Sequence, residues 1–174
     1  MRMSPPISGT LWREVLSGGL SLDGALVPEG IDVGVNPYAV HHNESLFPDS
    51  YTFRPERWLV SPSNPKENVD ALRHAFSPFS LGSRGCAGKN MAYMELSNSL
   101  ARTIWYCDFR RAPGGLGGVS AGMKGAREGQ HREGEFQLEE HITCQHEGPY
   151  LQFKAREGMG EELRGRMKWV RFDV

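Results

Sequence analysis

Phe79-Ser80-Leu81-Gly82-Ser83-Arg84-Gly85-Cys86-Ala87-Gly88 joins a glycine-rich loop to a stretch that contains neither Gly nor Pro. A cysteine is a strong metal ligand or nucleophile only as its thiolate, which a helix N-terminus or a nest of backbone N–H groups favours. Cys86 stands at such a junction. Gly82, Gly85 and Gly88 leave room for a planar ring against the loop and permit turns that aim several N–H groups at one sulfur. Arg84, two positions before the thiol, offers a guanidinium fork for a carboxylate on a bound cofactor, a geometry Lys cannot reproduce. Phe79 supplies an apolar shield.

Working outward, Lys89 to Tyr106 is apolar at Met91, Met94, Leu96, Leu100, Ala101, Ile104 and Trp105. At about 3.6 residues per turn this spacing predicts a helix of about five turns. Its apolar residues are expected to form a core face supporting the Cys loop. Upstream, Leu11 to Val35 alternates apolar runs with Asp23-Gly24 and Pro28-Glu29-Gly30. That pattern predicts short strands and a hairpin over Leu20–Val35. Asn36 to Asn68 mixes aromatics, prolines and charges without a period and reads as ordered coil.

Downstream, Pro113 to Gly134 holds eight glycines among charged residues and reads as a mobile insertion unsuited to burial. Glu135–Glu140 and Pro149–Ala155 read as strands flanking a turn at Glu147-Gly148. Glu161 to Val174 has no clear partner.

The bulk properties narrow the function classes. The 174 residues, 39% hydrophobic, suffice for one modest core, and a mean hydropathy of −0.49 points to a thin one. Twenty Lys and Arg against 21 Asp and Glu, with no basic block, argue against nucleic acid as a partner. No apolar run is long enough to span a bilayer, and the N-terminus lacks the apolar core of a signal peptide. Cys86, Cys107 and Cys144 fit neither a disulfide framework nor a CxxC zinc site, so a reducing, intracellular setting is expected. Cys107 and Cys144 read as packing residues or free thiols. No His, Asn or Asp arrangement around Cys86 suggests a base for thiol catalysis.

The order Phe79-x-x-Gly82-x-Arg84-x-Cys86-x-Gly88 resembles the haem-thiolate signature of the cytochrome P450 monooxygenases. Phe53-Arg54-Pro55-Glu56-Arg57-Trp58 is similar to the family's Pro-Glu-Arg-Phe box, with Trp in the final place. Arg2-Met3-Ser4-Pro5-Pro6 resembles the end of its Glu-x-x-Arg segment. Pro28-Glu29-Gly30-Ile31-Asp32-Val33, Ala39-Val40-His41-His42-Asn43 and Phe47-Pro48-Asp49 resemble further stretches, with His42 and Asn43 replacing the commoner Arg and Asp. Pro149-Tyr150-Leu151-Gln152-Phe153 resembles the last strand. Fungal, microsomal-type members are the most similar branch.

The resemblance implies an α+β fold, the C-terminal portion of the cytochrome P450 architecture. Its parts are a β hairpin, a coil meander, the Cys-ligand loop, a long helix and a terminal β region. Residues 1–155 would be that portion, with the glycine-rich insertion at about 113–134 and a tail, 156–174, left unassigned. Cys86 would be the axial ligand of haem b (iron protoporphyrin IX), donating electron density that favours O–O cleavage. Arg84 and Arg13 would bind its propionates, Phe79 would cover the sulfur, and Gly82 and Gly88 would shape the loop. Arg57, beside Glu56, would join Arg2 in a buried ion-pair triad whose glutamate falls ahead of Met1. Ser4 to Thr10 would line the substrate pocket.

The family hydroxylates small organic substrates with dioxygen and electrons from NADPH–cytochrome P450 reductase, in microsomal members at the endoplasmic reticulum membrane. The family's oxygen-activating acid–alcohol pair and membrane anchor would precede Arg2, so the expectation is a truncated chain, inactive alone, with no catalytic residue beyond the haem ligand. A non-catalytic remnant or binding module without stable haem is the alternative.

Overall fold

The structure, a computed structural model, describes residues 1–141 and 143–162; most of the unassigned Glu161–Val174 stretch lies outside them. In chain order the elements are β1 (Leu11–Glu14), β2 (Leu20–Leu22), β3 (Ala25–Val27), β4 (Asp32–Val35), α1 (Pro37–His41), α2 (Lys66–Ala75), α3 (Lys89–Tyr106), β5 (Cys107–Arg111), β6 (Glu139–Glu140), β7 (Cys144–Gln145) and β8 (Leu151–Ala155). Two compact units result. One comprises Met1–Gly82 with Leu138–His146, and the other Ser83–Gln137 with the described residues from Glu147 on.

In the first unit the strands nest. β2 and β3 form a hairpin with Leu20 opposite Val27, while β4 pairs with β1, Leu11 opposite Val35. The expected Leu20–Val35 hairpin is therefore shorter, and its last strand belongs to an outer pair. Asp23 at φ 47° and Gly24 at φ 83° make the turn, both central residues left-handed as a type I′ turn requires. The residues from Ser17 to Leu22 and from Ala25 to Gly30 thus return the chain so that β4 meets β1.

α1 begins at Asn36, whose side chain accepts the Ala39 N–H at 2.9 Å, with Pro37 at the first helical position. After it the chain runs without a ladder to a short 3-10 turn, Pro55–Trp58. α2 is not legible in the sequence, because only Val69 and Leu72 are buried on a ten-residue helix whose other residues are polar or alanine. Asp70 pairs with Lys66 and Arg73 along its exposed side.

The buried hydrophobic side chains among the described residues are Val15, Phe47, Val69 and Leu72, the thin core that the mean hydropathy implied. Phe47 is fully buried, with the rings of His41 and Trp58 at 6.1 and 6.2 Å, and Trp58 in turn lies 5.3 Å from Phe76.

Two arginines organise this cluster. Arg2 donates to the carbonyls of His41 (2.7 Å) and Ser50 (2.5 Å), its guanidinium 5.4 Å from the Phe47 ring centre. Arg57 donates to the carbonyls of Pro48 (2.9 Å), Asp49 (3.2 Å) and Thr52 (3.4 Å). Both arginines are buried, and neither meets a carboxylate within ion-pair distance among the described residues. Burial and then the like charge of Arg57 push the Arg2 guanidinium below its ordinary value, while Glu44 works the other way. Burial and Arg54 do the same to Arg57, opposed by Asp49 and Glu44.

In the second unit α3 occupies the residues its period predicted. It leads directly into β5, which pairs with β8, Cys107 opposite Ala155 and Phe109 opposite Phe153. β6 and β7 pair with each other within the first unit, Glu139 opposite Gln145. The two expected strands, Glu135–Glu140 and Pro149–Ala155, are thus not partners across Glu147-Gly148. Gly148 keeps φ +72° and a side chain there would strike the Val119 carbonyl.

The glycine-rich segment also differs from expectation. Gly117 and Gly122 are buried, and main-chain bonds Gly122 N to Glu135 O (3.0 Å), Met123 N to Gln130 O (2.8 Å) and Gln137 N to Ser120 O (2.9 Å) fold it back on itself. Its glycines permit close backbone approach: a Cβ on Gly122 would stand 2.2 Å from the Arg132 carbonyl.

Two outcomes follow for stability. Replacing Arg57 with Lys removes the planar fork that makes three part-buried, charge-assisted hydrogen bonds, and should cost about 2 kcal/mol in urea unfolding. His41, buried by Phe47 and Phe76, is pushed down to about 4 by burial first, then by His42, Arg2 and the terminal amine. The folded state therefore binds fewer protons than the unfolded chain between that value and the ordinary histidine value. The stability at stake, roughly 3 kcal/mol, is fully present above pH ~6.5 and lost as the pH falls towards about 4. Urea midpoints measured across that window should decline on acidification, and His41→Phe should remove most of the slope.

Candidate functional site

The loop from Ser77 to Gly88 links α2 to α3. On its first-unit side Ser77, Pro78 and Phe79 are half-buried, and the Ser80 N–H donates to the Ser77 carbonyl at 3.1 Å. Ser80 at φ 58° and Gly82 at φ 67° turn the chain before a single 3-10 turn, Gly82–Arg84. Nothing lies within 4 Å of where a Gly82 side chain would begin, so glycine is required there by backbone conformation rather than by crowding.

On the second-unit side Arg84 and Cys86 are exposed, and the Cys86 thiol is free. The Cys86 carbonyl accepts the Lys89 N–H at 3.3 Å and the Gly88 carbonyl accepts the Ala92 N–H at 2.9 Å, which sets the sulfur beside the first turn of α3. A Cβ on Gly88 would come within 3.8 Å of that sulfur. The sulfur thus stands where an 18-residue helix begins and its first N–H groups lack intrahelical partners.

α3 departs from the expected core face. No residue of the helix is buried, and Met91, Met94, Leu100, Ile104 and Trp105 are each more than half exposed. The apolar positions are present at the predicted spacing, but none of them is buried among the described residues.

Arg13 lies on β1 opposite Val33, exposed, its guanidinium donating to the Trp12 carbonyl at 2.6 Å. Arg2 and Arg57 are the buried hub described above. Glu56 is exposed in the 3-10 turn, its carbonyl accepting the Leu59 N–H at 3.0 Å. The hub thus holds the two arginines of the expected triad on main-chain carbonyls.

The Ser4–Thr10 segment meets the β6–β7 hairpin within the first unit. The Cys144 N–H donates to the Pro6 carbonyl (2.8 Å), the Ser8 N–H donates to the Cys144 sulfur (3.0 Å), and the thiol donates to the Ser8 hydroxyl (2.8 Å). Glu140 packs on Gly9, where any side chain would collide with its carboxyl group. Cys144 therefore ties β7 to the Ser4–Thr10 segment, a role no local signal announces across 136 residues.

Chemically, one exposed cysteine sulfur at a helix start suits a soft-ligand metal that brings its remaining donors with it, as a macrocycle does. Among the described residues no cluster of three His, Cys, Asp or Glu could hold a bare ion. Within the second unit, Gly88 beside the sulfur and the exposed Arg84 fit the edge and a propionate of a haem. Among the described residues no helix is long and apolar enough to cross a membrane.

Comparison with known proteins agrees with this chemistry. The family model described as Cytochrome P450 matches residues 1–115. The chain is 46% identical over 157 residues to cytochrome P450 monooxygenase AKT7 of Alternaria alternata, covering 88% of this chain and 30% of that protein. It is 44% identical to cytochrome P450 monooxygenase poxM of Penicillium oxalicum, covering 88% and 26%, and 41% identical to a cytochrome P450 monooxygenase of Gibberella zeae, covering 90% and 35%. The chain thus spans about a third of the length of the curated relatives it matches. Its fold is similar to that of a retinoic acid-bound cyanobacterial CYP120A1, with a TM-score of 0.63 at 23% identity, covering 88% of this chain and 30% of that one. The chain belongs to the cytochrome P450 family, whose members carry haem.

Proposed function

We propose that this chain is the haem-binding part of a cytochrome P450 monooxygenase that hydroxylates a small organic substrate, using dioxygen and electrons from NADPH–cytochrome P450 reductase. The observation that carries the reading is the placement of Cys86: a free, exposed thiol beside the first turn of α3, within the family's signature order. Cys86 would hold the iron of haem b through its sulfur, and the group so held would supply oxygen activation. Arg84 and Arg13 bind propionates as charge-assisted forks, Phe79 keeps water from the sulfur, and Gly82 and Gly88 set the loop's path. Arg2 and Arg57, with Glu56 in the same box, fix the meander that precedes the loop.

Residues 1–155 form the family's C-terminal portion, 113–134 is an insertion in it, and 156–174 carry no role in this reading. Ser4–Thr10, tied to β7 through Cys144, line the substrate side. The parent enzyme works at the endoplasmic reticulum membrane, as the resemblance of its motifs to microsomal-type members supports. The chain alone turns over no substrate, since the exposed α3 and the exposed Cys86 offer one side of a site.

A second reading, a binding module or remnant without stable haem, is favoured by the same exposure. The two separate on haem titration of the 174-residue chain. One-to-one binding, with a thiolate-type Soret band after reduction under carbon monoxide, is the expected result. Cys86→Ser should abolish that band, and Arg84→Ala should weaken haem binding about tenfold, the worth of one charge-assisted hydrogen bond. A chain that binds no haem, or whose Soret band is indifferent to Cys86→Ser, establishes the second reading instead.

A further inference from the structure

His41 closes α1 and is fully buried, its ring 6.1 Å from that of Phe47 and 5.2 Å from that of Phe76. Its main-chain carbonyl accepts from Arg2, while its imidazole Nε2 lies 3.2 Å from the Ser77 nitrogen, 36 residues further on. An amide N–H can only donate, so Nε2 is the acceptor and the neutral ring carries its proton on Nδ1. That Nδ1 is buried with no partner among the described residues. A buried donor left unpaired works against folding. Phenylalanine would fill the same aromatic niche without that cost, and what phenylalanine lacks is an acceptor for Ser77.

Ser77 is where the loop begins. It follows Phe76, precedes Pro78, which has no N–H, and stands two residues before Phe79, the first position of the signature. Proline at 78 also restricts Ser77 to extended backbone. The Ser77 N–H is therefore the last main-chain donor before the signature, and it is spent on a side chain seated in the arginine hub.

We infer that His41 is a positioning residue for the Cys86 loop, its Nε2 holding the Ser77 N–H so that the hub around Arg2 fixes where the loop starts. The inference rests on the reading of Cys86 as haem ligand only in its last step, from loop to metal. Acid should release the grip. A protonated imidazole donates from both nitrogens, so Nε2–H would face the Ser77 N–H, donor against donor. The charged groups acting on the ring are Arg2 and the terminal amine from the N-terminal segment and His42 from the end of α1; all oppose its protonation, and burial adds to them, so the release falls at about pH 4. Glu44, on the following segment, is held by the Ser50 N–H and hydroxyl.

Amide exchange and through-hydrogen-bond nitrogen couplings, measured by NMR on the 174-residue chain, test the grip without haem. A coupling between Ser77 N and His41 Nε2 is expected near neutral pH, disappearing on acidification towards about 4. His41→Phe should speed Ser77 exchange about tenfold, the loss of one hydrogen bond, with Val69 and Leu72 unmoved. His41→Gln, whose side-chain oxygen can accept, should restore most of the protection. On haem loading, His41→Phe should lower the thiolate-type fraction of the Soret band and His41→Gln should recover it.

Absence of the wild-type coupling together with unchanged Ser77 exchange in His41→Phe overturns the inference. If His41→Phe loosens every amide alike, the wild-type coupling decides alone, present in favour and absent against. A released Ser77 with an unaltered Soret band overturns the step from loop to metal. A released Ser77 in a chain that takes up no haem leaves the grip standing and refutes the Cys86 reading instead.

Discussion

Five main-chain carbonyls between His41 and Thr52 are held by two buried guanidiniums, and the order of the first unit depends on that arrangement. A segment without ladder partners must satisfy its backbone groups elsewhere or leave them buried and unpaired. Arginine serves because its donors lie in a fixed plane and can reach two or three oxygens at once, which a lysine ammonium on a flexible stem does not do. The meander is thereby made rigid without secondary structure, and Phe47 and Trp58 fill the space that the fork geometry leaves.

The apolar surface tells a different story from the polar hub. Trp12, Leu16, Leu26 and Val35 on or beside the nested strands, and Met91, Met94, Leu100, Ile104 and Trp105 on α3, are mostly exposed. Single exposed apolar residues are ordinary, but an 18-residue helix with no buried side chain is not, because tertiary packing supplies most of a helix's stability. The chain matches only about a third of its relatives' length, and the apolar period of α3 is that of a helix with a partner on one side. Sequence and structure agree on the helix and differ on its neighbour.

What the sequence made legible follows from how local each signal is. α3, the Asp23-Gly24 turn and the Cys86 loop are set by residues within a few positions of each other, so period, turn chemistry and motif sufficed. The pairing of β1 with β4, of β5 with β8 and of Ser8 with Cys144 is a matter of partners up to 136 residues apart, and nothing local distinguishes a hairpin strand from one that closes an outer pair. α2 escaped because two inward residues in ten make too weak a period. His41 escaped for a subtler reason: its importance lies in an acceptor lone pair used by Ser77, which no count of histidine spacings reveals.

The electrostatics of the hub connect these parts. Arg2 and Arg57 are cations in a poorly solvated space, each below its ordinary affinity for protons, and Arg2 contributes to keeping His41 neutral. Carbonyl dipoles offset part of the cost of burying such charges, and a carboxylate would offset more. A carboxylate set beside Arg2 would work against the burial that dominates all three shifts, raising the proton affinity of both guanidiniums and of His41. Raising His41 would move the acid release of Ser77 towards neutral pH, so the strength of the hold on the Cys86 loop is tied to how completely the charge on Arg2 is matched. The protonation state of one imidazole thus reports, at the start of the ligand loop, the electrostatic balance of a hub that the loop does not itself contain.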